Sequence, residues 1–204
     1  MGGEGVFITV DGPSGVGKST VARSLGRLLA GRGWTVTCTT EPSSAAIGEL
    51  ARFGTHEFHR RALSCLIAAD RYHHVDTVVA PALECGEVVV CDRYLPSSLV
   101  LDQLDGVPVD FVWSTHQDLP WPNLAIFLSG DWRLCAERAA RRGNHSRFHR
   151  ADDPVKRREV ELFEQVAGEL ATKGYPVSRY DIGDQDAEAV RQGIAHLVCV
   201  QLGL

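Results

Sequence analysis

The sequence lacks paired cysteines. Its six cysteines, Cys38, Cys65, Cys85, Cys91, Cys135 and Cys199, include no C-x-x-C spacing. Zinc-ribbon and thioredoxin-type readings therefore have no support. Several of the six lie in apolar stretches, so buried, reduced thiols are expected. No apolar run is long enough to cross a bilayer. The opening residues, MGGEG, hold no basic region before an apolar core, and Val6 stands where a myristoylation signal needs Ser or Thr. A cytoplasmic protein without a membrane partner is the expectation. Positive charge is not in excess either: 21 Lys and Arg stand against 26 Asp and Glu. That balance argues against a nucleic-acid partner, whose footprint is basic, but leaves room for a local basic pocket. No repeat, low-complexity segment or linker interrupts the chain, so residues 1–204 read as one domain.

What the chain does have is concentrated near its start, in VFITVDGPSGVGKST. Val6 to Asp11 reads as a buried strand. A glycine-rich turn follows, and Lys18 opens an apolar-periodic helix. Gly12, Gly17, Lys18 and Ser19 complete the G-x-x-x-x-G-K-[ST] phosphate loop in its strand–turn–helix setting. Gly12, Pro13, Ser14, Gly15, Val16, Gly17, Lys18, Ser19 and Thr20 are therefore the predicted nucleotide-binding stretch. Main-chain N–H groups cradle phosphate oxygens there, and the helix N-terminus adds its dipole. Lys18 supplies charge for the β- and γ-phosphates of ATP, and Ser19 a hydroxyl for Mg²⁺. The competing reading is a glycine-rich turn that binds nothing, and the full pattern in context weighs against it.

Strand and helix patterns alternate along the rest of the chain. Helices are predicted over Lys18–Arg32, Ile47–Phe53, His56–Glu84 with a break at Pro81, Pro96–Leu104, Val109–Leu119, Asp131–Arg142, Val155–Lys173 and Ala187–Val200. Strands are predicted over Trp34–Thr40, Glu87–Cys91, Leu124–Leu128 and Val177–Ile182. Gly143 to Asp153 is polar and basic and reads as a mobile loop. The alternation predicts an α/β fold with a parallel sheet covered on both faces. Such sheets bind ligands beyond the C-terminal ends of their strands, where Asp11, Glu41, Asp92 and Ser129 fall.

GTPase marks are missing, since neither D-x-x-G nor N-K-x-D occurs. The apolar strand Val88 to Cys91 leads into Asp92-Arg93 rather than Asp-Glu. An arginine in that place suits a second phosphate better than water activation. Phosphoryl transfer to a bound acceptor is the favoured chemistry.

The chain resembles the thymidylate kinases, within the nucleoside monophosphate kinase class. The residues that carry the likeness are the phosphate loop, T-T-E-P followed by I-G-E-L, A-A-D-R, C-D-R-Y-L-P-S-S, P-N-L-A-I-F-L and R-R-G-N-H-S-R-F, in that order. The resemblance implies a three-layer P-loop kinase fold with a five-stranded parallel sheet and an arginine-bearing lid over Gly143–Asp153. It also implies a homodimer, and transfer of the ATP γ-phosphate to a nucleoside 5′-monophosphate. Arg93 matches the arginine that clamps the acceptor phosphate, and Arg71 the helix arginine near the acceptor's base and phosphate. Arg147 fits the lid arginine that stabilises charge in transfer; Arg142 is a second candidate. Lys18, Arg93 and Arg147 are the predicted catalytic residues. Asp11, Glu41, Ile67, Arg71, Arg93 and Asp102 are the predicted acceptor-binding residues. Asp92 either joins Ser19 in holding Mg²⁺ through water or orients Arg93. The pairs His73-His74 and His145-His149 are read as surface residues.

Some positions depart from the family. Ser14 stands where an acid usually holds the sugar 3′-hydroxyl, and the loop D-G-P-S-G-V-G-K resembles that of cytidylate kinases. Thr40 replaces a frequent arginine, and Ile67 an aromatic that stacks on thymine. Leu101-Asp102 aligns with a Tyr-Gln pair, with Gln103 one step away. dTMP is the leading acceptor. A cytosine-type or modified pyrimidine monophosphate stays open, because an ionised Asp102 accepts from an exocyclic amino group; the alternative is an Asp102 facing solvent. A nucleoside kinase using Glu41 as base on a 5′-hydroxyl, and a nucleotide-binding regulator without turnover, are the remaining readings.

Overall fold

The computed structural model describes residues 5–141 and 153–204. Five strands, β1 (Val6–Asp11), β2 (Val36–Thr40), β3 (Val88–Asp92), β4 (Leu124–Ser129) and β5 (Val177–Asp181), form one sheet in the order β2-β3-β1-β4-β5. Every pairing is parallel. Side chains alternate across the sheet, so β1 sends Phe7 to one face and Ile8 and Val10 to the other. Phe7, Val89 and Phe127 pack under Leu99, Leu162 and Val166. Ile8, Val90 and Ile126 pack under Leu25, Leu29 and Ile194. Burial on both faces is why β3 reads as an unbroken apolar run.

One layer carries α1 (Lys18–Gly31), α7 (Trp132–Arg141) and α9 (Ala187–Leu202). The opposite side carries α3 (Arg61–His74), α4 (Ala80–Glu84), α5 (Leu95–Leu104), α6 (Val109–Ser114) and α8 (Asp153–Thr172), with α2 (Ala46–Phe53) beside α3. The three-layer α/β architecture agrees with the expectation. The sheet order reverses its sense at β1, so the crevice beyond the strand ends opens between β1 and β3.

Two local expectations change. The stretch from His56 to Glu84 is not one helix: Gly54–His56 is a 3-10 turn, α3 starts at Arg61, and a π-helical turn over Val75–Val79 joins α3 to α4. Pro81 lies in the first turn of α4, where a missing N–H is no loss. α6 ends at Ser114 rather than Leu119, where the Thr115 hydroxyl bonds back to the carbonyls of Phe111 and Val112.

The cysteines are all free thiols, but only Cys91 and Cys135 are buried. Cys38 is exposed because β2 is an edge strand; Cys65 and Cys85 are also exposed, on α3 and just past the end of α4. The expected lid, with Arg142 and Arg147, and the pair His145-His149 lie outside the described residues, apart from Asp153 at the start of α8. No helix among the described residues is long and apolar enough to cross a membrane.

Candidate active site

The turn between β1 and α1 is built for close approach. Gly12 has φ of 146°, and a side chain there would run into the carbonyl of Leu128. Gly17, at φ 110°, precedes α1 and leaves its first N–H groups pointing out of the helix. Lys18 is almost fully buried, and its Nζ donates to the carbonyls of Gly12 at 2.8 Å and Pro13 at 2.9 Å. Burial, then the nearby Arg93 charge, lower its pKa to about 7, against the pull of Asp92, Glu159 and Asp11. Ser19 donates its hydroxyl to Asp92 Oδ2, while Asp92 Oδ1 is buried and unpartnered. A hydroxyl and a spare carboxylate oxygen side by side are hard oxygen donors of the kind Mg²⁺ takes. Within the loop, Val16 joins the core and Thr20 faces solvent. Ser14 turns away from β1: its N–H and its hydroxyl both donate to Glu159 Oε1 of α8, at 2.8 and 2.9 Å.

Arg93 follows β3 in the left-handed region, at φ 77°. A non-glycine residue there is strained, and the neighbouring ladder holds it: its N–H donates to the Val10 carbonyl at 3.0 Å. Its Nη1 is buried and has no hydrogen-bond partner. Asp11 lies under this turn. One of its oxygens accepts from the N–H of Tyr94, the N–H of Ser97 and the Ser97 hydroxyl, at 3.1, 3.2 and 2.6 Å. The other oxygen has no partner. Burial raises the Asp11 pKa, opposed by Ser97, Tyr94, Arg93 and Lys18.

The end of β2 and the loop after it are tied to α3 by alternate residues. Thr39 Oγ1 meets His74 Nε2 at 2.6 Å. Glu41 takes His74 Nδ1 at 3.1 Å on one oxygen and Arg71 Nε at 2.5 Å on the other. Ser43 donates its N–H and hydroxyl to Asp70, at 2.6 and 2.5 Å. Arg71 also donates from Nη2 to the Tyr94 carbonyl at 3.2 Å, leaving Nη1 buried and unpartnered. Burial works against the Arg71 charge, and Glu41 outweighs it, so the pKa is raised. His74 is 2% exposed, which corrects the surface reading. Glu41, His74 and Cys91 come within 4.8 Å of one another. Both Glu41 oxygens are already engaged, and the Arg71 cation beside them opposes a metal ion.

Lys18, Ser19, Asp92, Arg93, Glu41 and Arg71 line one cleft of about 530 Å³ that extends to Ile67, Leu63, Leu101 and Asp102. Its size is that of a small-ligand site. At the far end Asp102 is buried, not solvated, and its Oδ2 accepts from the Ser64 hydroxyl at 2.6 Å. Burial raises its pKa to about 6 against that bond and the Arg71 charge. Gln103 does not line the cleft; its Nε2 donates to the Leu99 carbonyl. Asp11 sits behind the wall, and Ser129 ends β4 outside the lining. The structure adds Thr39, Ser64, Asp70, His74, Ser97 and Glu159 to the predicted site residues, with Asp70 and Ser97 inside the A-A-D-R and C-D-R-Y-L-P-S-S motifs. The spacing of Asp70 and His74 around the predicted Arg71 on α3 is the signal that points to two of these groups; for Glu159, far away in sequence, no local signal exists.

Comparison with known proteins covers most of the chain. Residues 10–174 match the thymidylate kinase family. A probable thymidylate kinase of Pyrococcus abyssi is 36% identical over 152 residues, 71% of this chain and 74% of its own. The probable thymidylate kinase of Caldivirga maquilingensis is 36% identical over 152 residues, 72% of this chain and 74% of its own. The thymidylate kinase of Leifsonia xyli subsp. xyli is 52% identical over 99 residues, 47% of each chain. A family match whose bounds take in the phosphate loop, Arg71 and Arg93 makes this chain a member of the thymidylate kinase family, whose members are ATP-dependent phosphotransferases.

Proposed function

We propose that the protein, acting as one nucleotide-kinase domain over residues 1–204, transfers the γ-phosphate of ATP to dTMP, giving ADP and dTDP. The observation that carries this reading is a pair of buried guanidinium nitrogens, Arg71 Nη1 and Arg93 Nη1, with no protein partner beside the Lys18 cleft. A buried, unpaired cationic donor is costly unless a ligand completes it. Two of them facing one space suit a phosphate dianion.

The residues divide the work. The loop amides and Lys18 hold the β- and γ-phosphates. Ser19 and Asp92 would hold Mg²⁺, which when bound would offset charge on the β- and γ-oxygens. Arg93 and Arg71 align the acceptor phosphate, whose ionised oxygen forms the new bond to the γ-phosphorus as the bond to the β-bridging oxygen breaks. That oxygen needs no base, because a phosphate monoester is already ionised near neutrality. Both Glu41 oxygens are held by Arg71 and His74, which favours a phosphorylated acceptor over a nucleoside needing Glu41 as base. Arg147, outside the described residues, is the proposed further cation on the transferred group.

Asp102 favours a second reading for the base. Ionised, it accepts from the 4-amino group of cytosine; neutral, it donates to the 4-oxo group of thymine. ADP release is to be measured with dTMP, dUMP, dCMP and thymidine in turn. Turnover with dTMP well above the others is expected. Preference for dCMP moves the acceptor to the cytosine type, and turnover only with thymidine overturns the monophosphate reading. A homodimer in the cytoplasm completes the proposal; sedimentation at micromolar concentration tests the dimer.

A further inference from the structure

Thr39, Glu41 and Ser43 are every second residue from the end of β2 into the loop that follows it. His74, Arg71 and Asp70 lie on one face of α3. The two rows meet partner by partner: Thr39 on His74, Glu41 on both His74 and Arg71, Ser43 on Asp70. All but Thr39 are buried. The row ends on Arg71 Nη1, which has no protein partner and belongs to the cleft.

Arg71 is constrained on three sides. Nε is bonded to Glu41, Nη2 to the Tyr94 carbonyl, and the guanidinium carbon stands 5.2 Å from the centre of the Tyr94 ring. Those contacts leave one direction for Nη1. The weakest of the fixing groups on its own is Glu41: it follows β2 in a loop, and a single carboxylate–arginine bond allows it to swing. His74 removes that freedom. One tautomer satisfies the histidine fully, with Nδ1–H donating to Glu41 and Nε2 accepting from the Thr39 hydroxyl. The ring thus braces Glu41 against the sheet through Thr39, which belongs to β2.

We propose that His74 is a positioning residue for the acceptor: it fixes Glu41, and through Glu41 the aim of Arg71 Nη1 at the incoming monophosphate. The proposal rests on the transfer reading above and adds a residue to it. Because the bond in question is charge-assisted, its loss corresponds to a change of about tenfold or more. The effect falls on the acceptor side alone, since no bond of the row reaches Lys18 or Ser19.

The test uses the full chain with ATP and dTMP and compares wild type with His74→Leu, His74→Asn and His74→Gln. Asparagine places an amide N–H near the Nδ1 position; glutamine places its amide near Nε2. His74→Leu and His74→Gln are expected to raise the KM for dTMP about tenfold while the KM for ATP stays within about twofold. His74→Asn is expected to stay within about threefold of wild type for both substrates. The decisive comparison is a double-mutant cycle with Arg71→Lys: once the fork is gone, removing His74 should cost less than about twofold more. Equal losses for dTMP and ATP, an unchanged dTMP KM in His74→Gln, or fully additive losses in the cycle would each overturn the proposal. If His74→Leu does not fold, the Asn/Gln contrast and a cycle built on His74→Gln decide it. Wild-type turnover on dTMP is read first: its absence on every monophosphate removes the transfer reading and this inference together, whereas turnover with additive losses removes only the inference.

Discussion

Ser14 gives both of its donors, N–H and hydroxyl, to a single oxygen of Glu159, which lies 145 residues further along the chain. The other Glu159 oxygen takes Lys156 Nζ at 3.1 Å, and all three residues are buried. A carboxylate from α8 therefore stands beside the loop at Ser14. It fixes the first half of the phosphate loop from behind. Burial alone would raise the Glu159 pKa, but the Lys156 charge and the Ser14 donors overcome it and hold the pKa below its usual value. A lowered carboxylate contributes stability above its unfolded pKa, and that contribution disappears as pH falls through the folded one. Glu159→Gln is expected to destabilise the protein by about 3 kcal/mol at pH 7, as loss of a buried paired charge does. The difference from wild type should shrink steadily below about pH 4.5. Urea melts at pH 7 and pH 4 check this, and an equal loss at both would show that the carboxylate charge is not what matters.

Lys18 is the next case, because its charge depends on what occupies the loop. In the free protein, burial and Arg93 place its pKa near the physiological range, at about 7. Phosphates against Nζ favour the charged form, so the pKa rises on nucleotide binding. The sign follows: below pH 7 the lysine is charged in both states, while above it binding takes up a proton and affinity falls. At pH 8 binding should take up close to one proton, and at pH 6 almost none. Calorimetry in two buffers of different ionisation enthalpy measures the uptake directly. Lys18→Ala should bind no proton and lose nearly all transfer while keeping its fold, since the loop backbone remains.

Much of this was legible in the chain itself. The phosphate loop is contiguous, so strand, turn and helix N-terminus are set by neighbouring residues, and their pattern is diagnostic. The buried strands betray themselves by composition, as Val88 to Cys91 does. Arg71, Arg93 and Asp102 are picked out by the resemblance to the thymidylate kinases, and all three line one cleft. What escaped was tertiary. Glu159 reaches Ser14 only because α8 crosses the sheet, and His74 looks like half of a surface pair until Thr39 and Glu41 are seen against it. The π-helical turn at Val75–Val79 also has no sequence signature, since it accommodates packing rather than propensity. Arg93 in a left-handed conformation is a local rule broken at a functional position.

Asp102 should reveal itself in stability before it does so in catalysis. Its pKa rises from 3.8 to about 6 on folding because burial disfavours the charge. A raised carboxylate adds stability below its unfolded pKa, and that contribution is lost as pH climbs through the folded value. Between those limits the shift corresponds to about 3 kcal/mol. Asp102→Asn keeps an acceptor for Ser64 and removes the charge. It should therefore melt on the order of 5 °C above wild type at pH 8 and close to wild type at pH 4. The same variant tests the base: if Asp102 contacts the ring, the ratio of dTMP to dCMP turnover should change by roughly tenfold or more. An unchanged ratio beside a raised melting point would assign Asp102 to the wall and not to recognition.

Arg93 sets activity against stability at one position. Its backbone is strained at φ 77°, and its Nη1 is buried without a partner next to Lys18. Glycine adopts that φ freely and carries no charge. Arg93→Gly is therefore expected to raise stability by about 1 kcal/mol, the scale of such backbone strain. Its removal also lifts one of the two effects that lower the Lys18 pKa, so the proton uptake on nucleotide binding at pH 8 should fall. Transfer, by contrast, should drop by about a thousandfold, the lower range for a cation that stabilises a moving phosphoryl group. Arg93→Ala shares the loss of the side chain but not the relief of the backbone. Comparing the two by thermal melts and by dTMP turnover separates the terms: equal inactivity with Gly more stable than Ala is the expected result. A glycine variant less stable than wild type would mean that Arg93 supports the fold and is not held there against its backbone preference.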